Sequence, residues 1–309
     1  MAATWLTQSL DWWNRHRRWP IRERVFTLPP HPVATEAGTR IVVLCATEDE
    51  APDAAWTARS FLHRLDRAPA GRVALDLYVD SPDPEPRRKI ADRWLPLFPG
   101  SEVLATWEAV EKLAPVMPTL DRLAVDSADV RRLAVTLHAQ EEYNVILADP
   151  GVILFGNSAE FAEALHDGQT ALHLQHTDPA EDAADAALRE YARQASWPLL
   201  AERLDPALLF LPRACLSAEA AERLLADMDA AGGGAPLPST DRTVLALLLG
   251  ASGARPLPPE RYLASDRGQF SHERDADYTR LTARRFTPAT RHLLYGRGLP
   301  RLWRQWRKG

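Results

Sequence analysis

Tyr143-Asn144-Val145-Ile146-Leu147-Ala148-Asp149-Pro150-Gly151-Val152-Ile153-Leu154-Phe155-Gly156-Asn157-Ser158-Ala159-Glu160-Phe161-Ala162-Glu163-Ala164 is the stretch that decides how this chain folds. The apolar run at 145–148 is short and rich in branched residues, which predicts a strand buried on both faces. Asp149 stands at its C-terminal end and is followed at once by the turn pair Pro150-Gly151. A second apolar run, 152–155, leads to Asn157 with Glu160 three residues on, a capping-box start for a helix. Ligands bind at the carboxyl ends of strands in open α/β sheets, so an acid fixed there by a tight turn is a candidate site residue.

Working outward, residues 40–45 predict the first strand. A helix follows at 51–65, with Trp56, Phe61, Leu62 and Leu65 on one stripe. A second strand at 73–79 ends at Asp80; a proline-rich turn and a helix at 87–98 lead to a third short strand at 102–105. This β-α-β-α-β alternation implies a parallel sheet with helices on its faces. On the other side of the central strand, 121–142 predicts one helix, starting at Asp121 or Ser127 and carrying Arg131 and Arg132.

Downstream of Asp149 the signals continue. Residues 170–176 read as a strand, and their spacing puts His173 and His176 on opposite faces, which argues against a shared metal. An alanine-rich acidic helix at 180–204 ends or kinks near Pro198. A strand at 208–213 precedes a helix capped by Ser217 that stops at Gly232-Gly233-Gly234. Residues 239–243 then open a very apolar helix with Asp241 in its first turn. No repeat, zinc spacing, phosphate-binding Lys loop, dinucleotide fingerprint or nucleophile elbow is present.

Composition bounds the function. The 309 residues are 46% apolar and 26% charged, with a net charge of −5. That is an ordinary globular composition, and its sign argues against a general nucleic-acid binder. Two cysteines far apart read as buried thiols in a reducing compartment. No secretory pattern and no run of about 20 apolar residues is seen, so the expectation is a cytoplasmic protein. Residues 1–37 form an arm rich in Trp and Arg, read either as an interfacial anchor or as a helix laid on the domain. The tail around Trp303 and Trp306 has the same two readings, so a membrane surface or a protein partner stays open.

The stretch around Asp149 is similar to the nucleotide-sugar glycosyltransferases of the GT-A fold, in which a strand ends in Asp-x-Asp before an apolar run and a capped helix. Those two carboxylates hold a divalent metal and, through it, the donor's diphosphate. The resemblance implies a GT-A-like domain over 38–309, behind the arm at 1–37, with a mostly parallel Rossmann-like sheet and helices on both faces. It implies a nucleotide-sugar donor and an acceptor of unknown kind. It places Asp80 near the donor's base and ribose, Arg131 or Arg132 facing the phosphates, and Asp149 and Gly151 at the two motif positions. Asp241 falls near the acceptor hydroxyl, as a general base if the reaction inverts. The run 285–292 is similar to a closing His-Tyr-x-Gly-x-x-Arg-His segment, with Arg291 and His292 matching.

Two metal positions differ together: Gly151 stands for the second Asp, and Arg285 for the first His. Asp149 alone is a poor site for a hard divalent ion. Arginines can stabilise a diphosphate leaving group instead, because the guanidinium is planar and always charged. Arg285, with Arg284 or Arg291, then takes the electrostatic duty, and Asp149 orients Arg285 or accepts from the ribose. Residue types alone allow plainer roles: Asp80 as a turn former, Arg131 and Arg132 as solvated charges, Asp241 as a helix cap. The expectation is a metal-independent glycosyltransferase. The alternatives are an inactive homologue that partners another enzyme, and a peripheral membrane module.

Overall fold

Alternation along the central strands builds two cores. In β1 (Thr39–Cys45), Ile41, Val43 and Cys45 face one side of the sheet, and Val42 and Leu44 the other. Strand β4 (Asn144–Ala148) divides in the same way, with Ile146 and Ala148 opposite Val145 and Leu147. Strands that are apolar on both faces must be covered on both. Helices α1 (Ala51–Leu65), α2 (Pro84–Leu97) and α6 (Ala159–Asp167) cover the first face. Helices α3 (Thr106–Leu113), α4 (Pro118–Ala124), α5 (Ala128–Glu142), α7 (Ala218–Gly232) and α8 (Thr240–Ala251) cover the second.

The computed structural model describes residues 20–65, 73–176, 201–232, 240–264, 280–287 and 290–306, with positions 186, 189, 190, 192, 193 and 197. The Trp/Arg cluster of residues 1–19 and most of the predicted helix at 180–204 lie outside them. The main sheet adds β2 (Val73–Val79), β3 (Glu102–Ala105), β6 (Leu172–Gln175), β7 (Leu204–Leu211) and β8 (Arg255–Pro256), in the order β3-β2-β1-β4-β7-β6-β8. Strands β1 to β4 are mutually parallel, whereas β7 runs antiparallel to both β4 and β6. A second sheet joins β5 (Val152–Leu154), β10 (Ala283–Arg285) and β9 (Tyr262–Ala264) in the order β5-β10-β9.

Several predicted elements are observed to the residue: 51–65, 73–79 and 102–105. Others differ for local reasons. Of the two starts expected for the helix over 121–142, Ser127 is the one observed, as the cap of α5, and Asp121 lies in the separate α4. Ser127 is extended at φ −129° and ψ 113°, and its hydroxyl accepts from the Val130 N–H at 3.3 Å. The cap of α6 is Ser158 rather than Asn157, its Oγ accepting from the Phe161 N–H at 2.9 Å while also meeting the Tyr262 hydroxyl. Strand β7 starts four residues before the expected 208, because Asp205 and Leu204 pair with β6.

Ends of the described chain converge on α1. The Trp56 indole stacks on Trp306 at 5.5 Å between centroids and donates to the Arg22 carbonyl at 3.0 Å. Helix α9 (Leu299–Trp306) turns Leu299, Leu302 and Trp306 inward, and Arg24 lies over the Trp303 ring at 4.9 Å. Among the described residues no helix is long and apolar enough to cross a membrane.

The turn after β4 is set by Gly151, at φ +93°, a region that L side chains rarely adopt. Its N–H donates to Thr57 Oγ1 at 3.0 Å, and its carbonyl accepts from the Phe286 N–H at 2.9 Å. A Cβ added there would stand 2.8 Å from the Phe286 carbonyl oxygen, a backbone atom that cannot swing aside. Gly151→Ala is expected to cost roughly 2 kcal/mol or more, from backbone strain and this clash together. Chemical denaturation checks it, and an unchanged midpoint would refute the strained turn.

Candidate functional site

Parallel strands bring their C-terminal ends to one edge, and the cleft lies there. Cys45 ending β1 and Ala46 just beyond it, Asp80 after β2 and Asp149 after β4 all line it. Asp129 and Arg132 enter from the N-terminal half of α5, and Arg285 and Arg291 from β10 and the segment beyond it. The cavity measures ≈ 290 Å³. Its lining is rich in arginine and carboxylate, and most of these charges are paired.

Arg132 stands between two carboxylates. Its Nη1 lies 2.6 Å from Asp149 Oδ1 and its Nε 3.4 Å from Asp241 Oδ2, while Nη2 donates to the Pro206 carbonyl. Burial alone would depress the pKa of the guanidinium, but Asp149 and Asp241 outweigh it and raise it. Asp241 shows the reverse balance. Burial drives its pKa up to about 6, against the pull of Arg132 and with the charge of Asp129 adding to the rise. Asp241 is 5% exposed and is not among the residues lining the cleft. It stands behind Arg132.

Arg285 reaches across from the second sheet. Its Nη1 is 2.6 Å from Oδ2 of Asp205, a side chain 1% exposed whose Oδ1 accepts from the Ala207 N–H at 3.0 Å. The expected orientation of Arg285 by Asp149 is therefore replaced: Asp205 faces Arg285, and Asp149 faces Arg132. Arg291 approaches Glu50 at 3.5 Å and Asp53 at 3.8 Å. Asp53 is fully buried and is also gripped by Arg22, at 3.1 and 3.2 Å, and by the Tyr295 hydroxyl at 2.8 Å.

Asp80 is held from two sides. Arg131 bonds it through Nε at 2.6 Å and Nη2 at 3.0 Å, and Thr106 Oγ1 donates to it at 2.8 Å. Arg131 lies 5.3 Å from the Trp107 ring centre and does not line the cleft, whereas Arg132 does. Gly151 lies in the buried turn, its backbone groups committed to Thr57 and Phe286. His292 is not a lining residue, although its neighbour Arg291 is. The Cys45 thiol lines the cleft, donates to the Thr47 carbonyl at 3.0 Å, and is driven by burial far above the range of a nucleophile.

Sequence reasoning brings Asp80, Arg132, Asp149, Arg285 and Arg291 to one cleft. It did not find Glu50, Asp53, Thr106, Asp129 or Asp205. Asp205 meets Arg285 across 80 residues, and Asp129 reaches the cleft only through the packing of α5, so neither carries a local signal.

By sequence, no protein-family model matches this chain, and no curated protein does. By structure it is similar to mouse xyloside xylosyltransferase 1 in its apo form, over 84% of this chain and 99% of that one, at 12% identity and a TM-score of 0.52. It also aligns with the galactosyltransferase LgtC in complex with donor and acceptor sugar analogues, over 87% and 95%, at 11% identity and a TM-score of 0.47. Core-mannan synthase A from Aspergillus fumigatus, in its Mn/GDP form, aligns over 70% of each chain at 12% identity and 0.42. The first of these carries the structural likeness, and at 12% identity it fixes the fold and nothing finer. The fold is that of the GT-A glycosyltransferases.

The Asp241 shift has a consequence for stability. Its folded-state pKa, about 6, lies above its ordinary value of 3.8, so its contribution is fully present below pH 3.8 and lost as pH rises through 6. The span corresponds to about 3 kcal/mol. Asp241→Asn should remove that part of the pH dependence, so stability measured from pH 4 to 7 falls less steeply than in the wild type. Parallel profiles would show that Asp241 does not titrate there.

Proposed function

We propose that this protein is a glycosyltransferase-like enzyme that moves a sugar from a nucleotide-sugar to an acceptor, with arginines standing where Asp-x-Asp enzymes use a divalent metal. The observation that carries this reading is the company of Asp149. A guanidinium lies 2.6 Å from one of its oxygens, and the residue two positions on is a glycine with no room for a side chain. Among the described residues no group of three or more His, Cys, Asp or Glu stands together to hold an ion. A divalent cation fits this donor set poorly, since hard ions want several oxygen ligands and Arg132 already neutralises the one on offer.

The chemistry asked of the cleft is electrostatic. Cleaving the bond between the sugar and the diphosphate leaves negative charge on phosphate oxygens, and preorganised cations lower that barrier. Arg132, Arg285 and Arg291 converge on the cleft from α5, β10 and the segment after β10. A guanidinium has five N–H donors, so the contacts of Arg132 with Asp149, Asp241 and the Pro206 carbonyl do not exhaust it, nor do those of Arg291 with Glu50 and Asp53. Asp149, Asp205 and Asp241 then fix the forks in place, with Asp241 acting on the ligand only through Arg132. Asp80, already bonded to Arg131 and Thr106, forms the wall on the base and ribose side.

A second reading has its own support: the lining arginines all face carboxylates, as they would in a cleft that has kept its fold and lost its ligand. Such a homologue would act as a partner of another enzyme. Calorimetric titration with UDP, GDP and their sugar conjugates, each with manganese and with chelator, separates the two. Binding that ignores chelator is expected, weakened about tenfold or more in Arg285→Ala by the loss of a charge-assisted hydrogen bond. Binding that requires manganese would overturn the arginine-for-metal assignment, and no binding to any donor would favour the partner.

A further inference from the structure

One buried carboxylate faces two guanidiniums next to the cleft. Asp53, on α1, is fully buried and does not line the cleft, whereas Glu50, just before that helix, does. Arg22, in the short helical turn Pro20–Glu23, occupies both Asp53 oxygens: Nε donates to Oδ1 at 3.2 Å and Nη2 to Oδ2 at 3.1 Å. The backbone of Arg22 is fixed on the same helix, since its carbonyl accepts from the Trp56 indole at 3.0 Å. The Tyr295 hydroxyl also donates to Oδ2, at 2.8 Å.

Arg291 is left with looser contacts. Its Nε stands 3.8 Å from Asp53 Oδ2 and its Nη2 3.5 Å from Glu50 Oε1, both longer than hydrogen bonds. That Nε is buried and, among the described residues, has no hydrogen-bond acceptor. Arg132, by contrast, meets Asp149 at 2.6 Å. Arg291 therefore stands between a carboxylate that lines the cleft, Glu50, and one that does not, Asp53, and is tightly bonded to neither. Resting on the reading that the cleft holds a donor's diphosphate, we propose that Arg22 is a positioning residue for Arg291. By occupying Asp53 it keeps the Arg291 guanidinium in the cleft, with donors available to the diphosphate.

The physical reason is competition for one anion. A carboxylate with no exposure needs a cation beside it, because an uncompensated buried charge is strongly unfavourable. Among the described residues two cations face Asp53, Arg22 and Arg291. With Arg22 gone, Arg291 is the one that remains. It closes on Asp53 as an arginine–carboxylate pair and is drawn out of the cleft toward α1. The cleft then loses one of its arginines although no residue lining it has changed, since Arg22 is not among them. A residue ahead of β1 thus acts on the site without reaching it.

Calorimetric titration with UDP, GDP and inorganic pyrophosphate reads the effect. Arg22→Ala is expected to weaken binding about tenfold, as Arg291→Ala does, each removing one charge-assisted contact to the ligand. The two losses should not add: in the Arg291→Ala background, Arg22→Ala changes affinity by less than about twofold. Combining Arg22→Ala with Asp53→Asn is the decisive variant. Without the charge that draws Arg291 away, affinity should return to within about threefold of wild type. A merely structural role for the pair predicts the opposite, a double variant as weak as Arg22→Ala or weaker. Arg22→Gln, which keeps a polar stem and loses the charge, carries the same comparisons if Arg22→Ala does not fold. An Arg22 variant that binds like the wild type overturns the proposal and leaves the diphosphate reading standing, as do additive losses or a double variant that recovers nothing. If the wild type binds none of the titrants, the diphosphate reading itself fails and the proposal with it.

Discussion

A guanidinium half-buried at the end of a parallel sheet needs acceptors around it, and Arg132 meets that demand by sitting between Asp149 and Asp241 with the Pro206 carbonyl behind it. Removing either acid leaves the guanidinium with the other acid and the carbonyl, and takes away one of the contacts that fix its direction. Much else follows from this. Helix α5 has to come down onto the ends of β1 and β4, the first turn of α8 has to close from the side, and the turn at 149–151 has to present its acid inward. The cleft is the space left when these three arrive.

The turn after β4 ties the two sheets together. With Gly151 at φ +93° and the Phe286 carbonyl where a side chain would begin, the turn is built to pair β5 with β10. That pairing delivers Arg285 to the cleft from the other sheet. The backbone that leaves no room for a side chain at position 151 is the backbone that positions Arg285.

Strand and helix periodicity made the central α/β core legible, because burial on both faces writes itself into residues 41–45, 75–79 and 145–148 without long-range information. Asp149, Asp80 and the arginines of α5 could be found from their places at strand ends and on one helix. The rest could not. Asp205 pairs with a residue 80 positions away, Asp53 with one 242 away, and nothing local to either announces its partner. An acid in a helix's first turn, such as Asp129, has a ready local explanation in the helix dipole, so the sequence does not set it apart. Of the two helix starts that the sequence offered, Asp121 and Ser127, the structure uses Ser127 for α5, while Asp121 falls in the separate α4.

Asp53, fully buried on α1, has a further meaning for how the molecule comes to exist. Its partners Arg22, Arg291 and Tyr295 lie on both sides of it in sequence, the last 242 residues downstream. During synthesis the α1 strand–helix unit is complete long before Tyr295 and Arg291 leave the ribosome. Loop closure over that span is slow compared with local helix formation. The sheet can therefore assemble while the cleft is still missing one wall, with a carboxylate waiting in contact with water. Assembly of the cleft is a late event, and a chain interrupted before residue 291 has most of a core and no finished binding site.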